Sequence, residues 1–521
     1  MDNPRKRWRI VCGRILGFAA LIVLAVAVQA RSGARAADST LVARGKYLAT
    51  AGDCQTCHTA PDGQPYAGGR AIPSPFGTIY SDNITPDPTG IGTWSDQQFY
   101  RALHDGIGKD GQHLYPAMPY PWLTRLTYPD AMAIKAYLST LPPVHAPDKP
   151  DRLAFPFNLR FGMAGWNTLY FNPGTFKPDP QKSAQVNRGA YLVEGLGHCG
   201  ACHTPHNLAQ APEKGAYLGG GSIQGWYAPN ITSDMREGIG AWSDSDLVSY
   251  FKTGLAPGKA IVAGPMQEVV RNSLSRLTDA DLDAIAAYLK STPATTVYKA
   301  AQYSEFRGGV LGSRGAGIYE TNCAFCHQPG GGGIKNEVPP LVRNGAVIAG
   351  GPEDVVRVVL AGLPARAGLA PMPAVGTHMT DQEIAEVTNY VRQAWGNKAP
   401  PTAAAGAVGN LRAQTHSMLA GNDCGKVDPS PIADALKDSS NGLTERIGAF
   451  TAADTIRDID AIVARAKAAA PKATQADLVN GLTSAYCPIV ASRGGNAADK
   501  ATELGQFSVL VYSAIVNHGI H

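Results

Sequence analysis

Three stretches of the chain place apolar residues along one helical face. Leu282, Ile285 and Leu289 fall at i, i+3 and i+7 around the segment AIAAYLK, which contains Tyr288, and Ile384, Val387 and Val391 repeat that spacing around EVTNYVR, which contains Tyr390. AIKAYLS, with Tyr137, is a third segment of the same kind. This spacing predicts amphipathic helices that each bury one stripe. Well upstream of each lies an Arg-Gly step, at Arg44-Gly45, Arg188-Gly189 and Arg314-Gly315, followed by Tyr47, Tyr191 and Tyr319 in a short predicted helix. The pattern is one unit used three times, opened by a short helix and closed by an amphipathic one.

Two further stretches depart from this pattern. Ile15 to Val28 is an unbroken apolar run behind a basic head of Arg5, Lys6, Arg7 and Arg9, and Ala34-Arg35-Ala36 follows it with small residues in an A-x-A arrangement. The run is short of the roughly 20 residues a bilayer span needs, so residues 1–36 are expected to be an export signal. An uncleaved anchor is the alternative. At the other end, an Ala/Gly/Pro-rich stretch near Lys398 to Gly409 reads as a flexible linker, and Ala-rich helical segments follow, among them Asp458 to Ala470 and Ala498 to His518.

Charge changes the picture only once the N-terminus is set aside. The formal +4 of the 521 residues comes from the seven Lys/Arg and one acid in residues 1–36; the rest holds 39 basic and 41 acidic residues, a net of −2. No nucleic-acid footprint is present in such a chain.

The chemistry lies in the cysteines. Six of the nine fall in three copies of one string: Cys54-Gln-Thr-Cys57-His58, Cys199-Gly-Ala-Cys202-His203 and Cys323-Ala-Phe-Cys326-His327. C-x-x-C-H is a covalent haem attachment site: two thiols at this spacing reach both haem vinyl groups, and the adjacent His faces the iron. A zinc site would need four clustered ligands, and a redox dithiol has no use for the His. Each copy sits just after one of the short helices, so each unit is expected to be its own haem domain. The predicted fold class is all-α, with three tandem cytochrome c-type domains at 38–148, 185–296 and 305–398 and a helical extension at 403–521. Three covalent haems c are the expected cofactors.

A sixth iron ligand should come from the loop between motif and closing helix. Met118 sits in Pro116-Ala117-Met118-Pro119, Met266 in Gly264-Pro265-Met266-Gln267, and Met372 in Pro371-Met372-Pro373. Soft thioether sulfur suits iron, and neighbouring prolines stiffen the loop. Met132, Met235 and Met379, the last beside His378, are the rival positions. The first two units also share Asn83-Ile84-Thr85 and Asn230-Ile231-Thr232, each followed by a Trp-Ser-Asp step at Trp94 and Trp242. Ser95-Asp96 and Ser243-Asp244 read as helix N-caps; Asn and Trp are candidate donors to haem propionates.

RGKYLATAGDCQTCHT, GTIYSDNITPD, PNITSD and GPMQEVVRNSLSRLTDADLDAIAAYLK resemble the triheme cytochrome c subunits of membrane-bound periplasmic dehydrogenases, which accompany alcohol, gluconate, sorbitol, fructose or aldehyde dehydrogenases in acetic acid bacteria and their relatives. The resemblance covers about residues 38 to 398. It implies an electron carrier rather than a catalyst, taking electrons from a dehydrogenase catalytic subunit to ubiquinone or a downstream oxidase on the periplasmic side of the cytoplasmic membrane, with peripheral membrane association. His58, His203 and His327 carry over as proximal ligands, and Met118, Met266 and Met372 as distal ones. A free-standing shuttle cytochrome and a multihaem enzyme, such as a peroxidase or a thiosulfate-oxidising cytochrome, are the alternative readings.

The extension departs from that resemblance. It holds Cys424 and Cys487 without an adjacent His, and in an oxidising compartment these two would pair. In its last helix Phe507, Val511 and Ala514 share a face with Leu504 and Ile515 beside them. That face could complete the extension's own core, dock on the catalytic subunit or lie on the membrane. Truncation near Ala403 is expected to leave all three haem spectra intact but to weaken assembly with the dehydrogenase.

Overall fold

The computed structural model describes residues 39–295, 313–335, 337–365, 369–420, 431–437, 452–492 and 494–517. The expected export signal, with its apolar run, lies outside them. The chain divides into two compact units, residues 1–177 with 194–197, and residues 178–193 with 198–521.

In the first unit, helix α1 (residues 39–51) crosses α2 (Tyr128–Leu138). The crossing is close because Gly45 has no side chain: a Cβ there would run into the carbonyl of Ala133, next to the Tyr137 side chain. Beside it, Arg44 Nε donates to the Asp130 carboxylate at 2.8 Å, and that carboxylate is buried. Asp130 also stands in the first turn of α2, which Thr127 caps by accepting from the Asp130 amide. The Arg-Gly step is thus a device for seating one helix on the start of another. Strands β1 (Ala71–Ser74), β2 (Gly77–Tyr80) and β3 (Arg152–Leu153) form a small antiparallel sheet in the loops around the helix pair.

The second unit repeats the device twice. Helix α3 (Ala184–Tyr191) crosses α4 (Asp279–Ser291), with Gly189 against the carbonyl of Ala284 and Arg188 bonded to both oxygens of Asp281 at 2.8 Å. Helices α5 (Arg314–Asn322), α6 (Glu353–Ala361) and α7 (Asp381–Gln393) build the next copy. There Gly315 meets the carbonyl of Glu386, and Arg314 lies 3.5 Å from Glu383 and 3.4 Å from Glu386. Ser95 and Ser243 form capping boxes with Gln98 and Asp246, as the sequence led us to expect. A hairpin of β4 (Gly221–Ile223) and β5 (Trp226–Ala228) docks on α6: the Tyr227 amide donates to Asp354 at 2.9 Å, and Arg357 reaches the Gly225 carbonyl and Gln414.

The extension contributes α8 (Ala405–Ala420), α9 (Pro431–Lys437), α10 (Ala452–Ala469), α11 (Gln475–Ala491) and α12 (Ala497–Asn517). Phe507, Val511, Ala514 and Ile515 are buried in a core shared with Leu482 and Tyr486, so the apolar face of the last helix completes the extension's own interior. Cys487 is disulfide-bonded; its expected partner Cys424 lies outside the described residues.

The stretch expected to be a flexible linker is instead pinned. Arg392 is 0 % exposed and donates to the carbonyls of Pro400, Val347 and Gly351 at 3.0, 3.2 and 2.6 Å. Asn389 bonds both the amide and the carbonyl of Ala403. A buried guanidinium needs several acceptors, and here the Pro400 carbonyl of this stretch and the carbonyls of the 347–351 loop supply them. Helix α8 then packs on α6 and α7.

Candidate haem-binding sites

Each C-x-x-C-H string forms a single helical turn after the opening helix, in the second domain past a π turn at Leu192–Leu196. The amides of His58, His203 and His327 bond back to the carbonyls of Cys54, Cys199 and Cys323 at 3.0, 3.0 and 2.9 Å, which brings both thiols and the imidazole of each motif to one turn. None of these six thiols is tied up in a disulfide. Burial pushes Cys54 up to about 12, with the nearby Asp53 and Cys57 adding to it. Burial likewise raises Cys199 to about 12, and Cys202 and Cys323 to about 11. Among the described residues, no cluster of three or more His, Cys, Asp or Glu side chains is arranged to hold a metal ion.

The imidazoles are oriented in one way. His58 Nδ1 lies 2.7 Å from the carbonyl of Asp82, His203 Nδ1 2.6 Å from that of Pro229, and His327 Nδ1 3.2 Å from that of Pro339. A carbonyl can only accept, so Nδ1 carries the proton and the Nε2 lone pair is left for a metal. Desolvation also lowers all three imidazoles below the usual histidine range, although the carbonyl contact opposes it, and this favours the neutral ligand form.

These carbonyls are the part that reading the side chains missed. Asp82 and Pro229 directly precede the two Asn-Ile-Thr turns. Asn83 Oδ1 accepts from the Thr85 amide and hydroxyl at 2.9 and 2.8 Å, while its Nδ2 donates to the Val144 carbonyl. Asn230 does the same with Thr232 and the Thr295 carbonyl. The asparagines therefore lock the turn that aims the histidine, and the shared tripeptide was the available signal. In the third domain Pro339 takes this place without such a turn.

The expected distal methionines stand half-buried in stiff positions. Met118 lies in a turn closed by its amide on the Tyr115 carbonyl and the Tyr120 amide on its own carbonyl. Met266 stands in the first turn of the helix Pro265–Asn272, entered through Gly264 at φ 56°, where a Cβ would press on the Trp226 ring. Met372 pairs with Leu363 through two backbone hydrogen bonds. Of the rivals, Met235 is exposed, Met132 is half-buried within α2, and Met379 packs into the core beneath α5 and α7. Two thiols outside any disulfide, a neutral imidazole with its Nε2 available and a loop methionine are a donor set that fits a covalently attached haem.

Residues 42–142 and 186–293 match the cytochrome c family, and residues 311–391 match the family described as cytochrome c oxidase, cbb3-type, subunit III. Three consecutive domains of this kind define a multidomain c-type cytochrome. The chain is 42% identical over 400 residues to the cytochrome c subunit of alcohol dehydrogenase (quinone) from Gluconacetobacter polyoxogenes, covering 72% of this chain and 85% of that protein. It is 40% identical over 440 residues to the same subunit from Gluconobacter oxydans (79% and 91% covered) and 42% identical over 405 residues to the fructose dehydrogenase cytochrome subunit of Gluconobacter japonicus (71% and 82%). The chain belongs to the family of cytochrome c subunits of membrane-bound dehydrogenases. No described helix is long and apolar enough to cross a membrane.

Proposed function

We propose that this chain carries three haems c, one per domain, and relays electrons from a periplasmic dehydrogenase catalytic subunit to ubiquinone or the respiratory chain. Cys54 and Cys57, Cys199 and Cys202, and Cys323 and Cys326 form the thioethers. His58, His203 and His327 are the proximal ligands, and Met118, Met266 and Met372 the distal ones. The observation that carries the reading is the threefold Nδ1–carbonyl contact, which leaves a neutral Nε2 beside two thiols outside any disulfide in every domain. Bound haem supplies a one-electron iron couple whose potential thioether ligation raises. The protein's part is to fix the ligands and exclude water around them.

The relatives named as subunits of quinone alcohol dehydrogenase and of fructose dehydrogenase support a dehydrogenase partner. The membrane-bound complexes of the family, together with the basic and apolar N-terminal segment, support a periplasmic site at the membrane. The test is reduction of a quinone analogue by the purified cytochrome with and without its copurifying dehydrogenase subunit and substrate. Turnover only with both is expected; comparable substrate oxidation by the cytochrome alone would refute the carrier role.

A further inference from the structure

The C-terminal helices close on the loop that holds Met372. The thioether packs in a cluster that includes Val408 and Leu411 of α8. Next along α8, Arg412 donates to the carbonyls of Gly376 at 3.0 Å and Met379 at 2.6 Å, and pairs with Asp381 at 2.7 Å. From α12, Thr502 Oγ1 lies 2.8 Å from Thr377 Oγ1 and 2.9 Å from His378 Nε2. Gly505 of the same helix lets its backbone approach Pro373, where an added Cβ would stand 3.1 Å from the proline Cβ. From α11, Asn480 Nδ2 donates to the carbonyl of Ala365 at 2.8 Å, and Ala365 is itself buried in the extension's core.

These anchors come from three helices and bind the loop at residue 365 on one side of Met372 and at 373 and 376–379 on the other. We propose that the C-terminal helical unit is a brace for the distal loop of the third domain, with Arg412, Thr502 and Asn480 as positioning residues that keep Met372 on the iron. The proposal rests on Met372 being the distal ligand of that haem. A neutral thioether is a soft ligand held in place by its loop. Tethers on both sides of it confine the sulfur near its binding position and reduce the conformational freedom that ligation must remove.

The test uses the full-length holoprotein and three variants: Met372→Ala, the combined Arg412→Ala/Thr502→Val/Asn480→Leu, and Arg412→Lys. Three readouts are taken: the near-infrared Fe(III)–sulfur charge-transfer band, the potential of the third haem by spectroelectrochemical titration, and hydrogen exchange across residues 369–379. Met372→Ala should remove one haem's share of the band. The combined variant should keep all three haems, lose that same share on warming at a temperature where the parent retains it, and show a lower third potential. Loop protection should fall about tenfold, as expected for the loss of one or two hydrogen bonds, and Arg412→Lys should recover part of each effect. If the combined variant does not fold, Thr502→Val alone is read the same way, with a smaller shift. If Met372→Ala removes the band share while the combined variant leaves band, potential and exchange unchanged, the brace is refuted. If Met372→Ala leaves the band intact, the ligand assignment fails and takes the brace with it.

Discussion

His58 and His203 each point Nδ1 at a carbonyl that opens an Asn-Ile-Thr turn, and the asparagine side chain holds that turn with three or more hydrogen bonds. Because Asn83 and Asn230 are buried, Ala in either place would strand backbone acceptors and free the turn. The expected cost is about 2 kcal/mol or more per site in denaturant unfolding of the holoprotein, with altered electron paramagnetic resonance of the affected haem as its proximal ring rotates. Met118→Ala and Met266→Ala should each lower one haem's potential and erase one share of the Fe(III)–sulfur band, while the thioethers keep the haem in place. If Met235→Ala had the effect instead of Met266→Ala, the second assignment would be wrong. At this scale the cysteines and histidines were legible because their side chains are distinctive. The carbonyls of Asp82, Pro229 and Pro339 were not, since every residue has one and only the fold selects which is used.

Paired helices are the next scale, and here glycine decides the geometry. Gly189→Ala would drive a methyl into the Ala284 carbonyl of α4, so α3 and α4 must separate. A loss of about 3 kcal/mol or more is expected, the upper range for overpacking, measurable as a lowered unfolding midpoint; an unchanged midpoint would contradict the crossing. A second expectation concerns α6 and the β4–β5 hairpin. Burial pushes the Asp354 carboxyl up from 3.8 to about 7, with the hydrogen bond from Tyr227 opposing it. The folded chain then holds a proton that the unfolded chain releases between about pH 4 and 7. Stability therefore falls as pH rises through that window and is level above it. Asp354→Asn should remove that slope and raise stability above pH 7, as thermal unfolding at a series of pH values will show. The closing helices were readable from their 3.6-residue period. The Ala/Pro stretch was misread because composition describes its own side chains, whereas its order comes from Arg392 and Asn389 on a different element.

Across the whole molecule, the three units and their motifs were visible as repetition, and family matches fall at 42–142, 186–293 and 311–391. The extension was legible only as helices with an apolar face. Its attachment to the third domain was hidden because Arg412 meets backbone carbonyls some 35 residues away, with no pattern linking them. That attachment also revises the effect of truncation near Ala403: the loop bearing Met372 would lose its anchors, so the third haem should be perturbed while the first two domains keep their spectra. The central claim is that each domain holds one haem by two thioethers, and the mass of the acid-denatured mature chain tests it most directly. Three covalently retained haems are predicted from a host with full maturation machinery; two or fewer, or zinc bound at any of the motifs, would contradict the account.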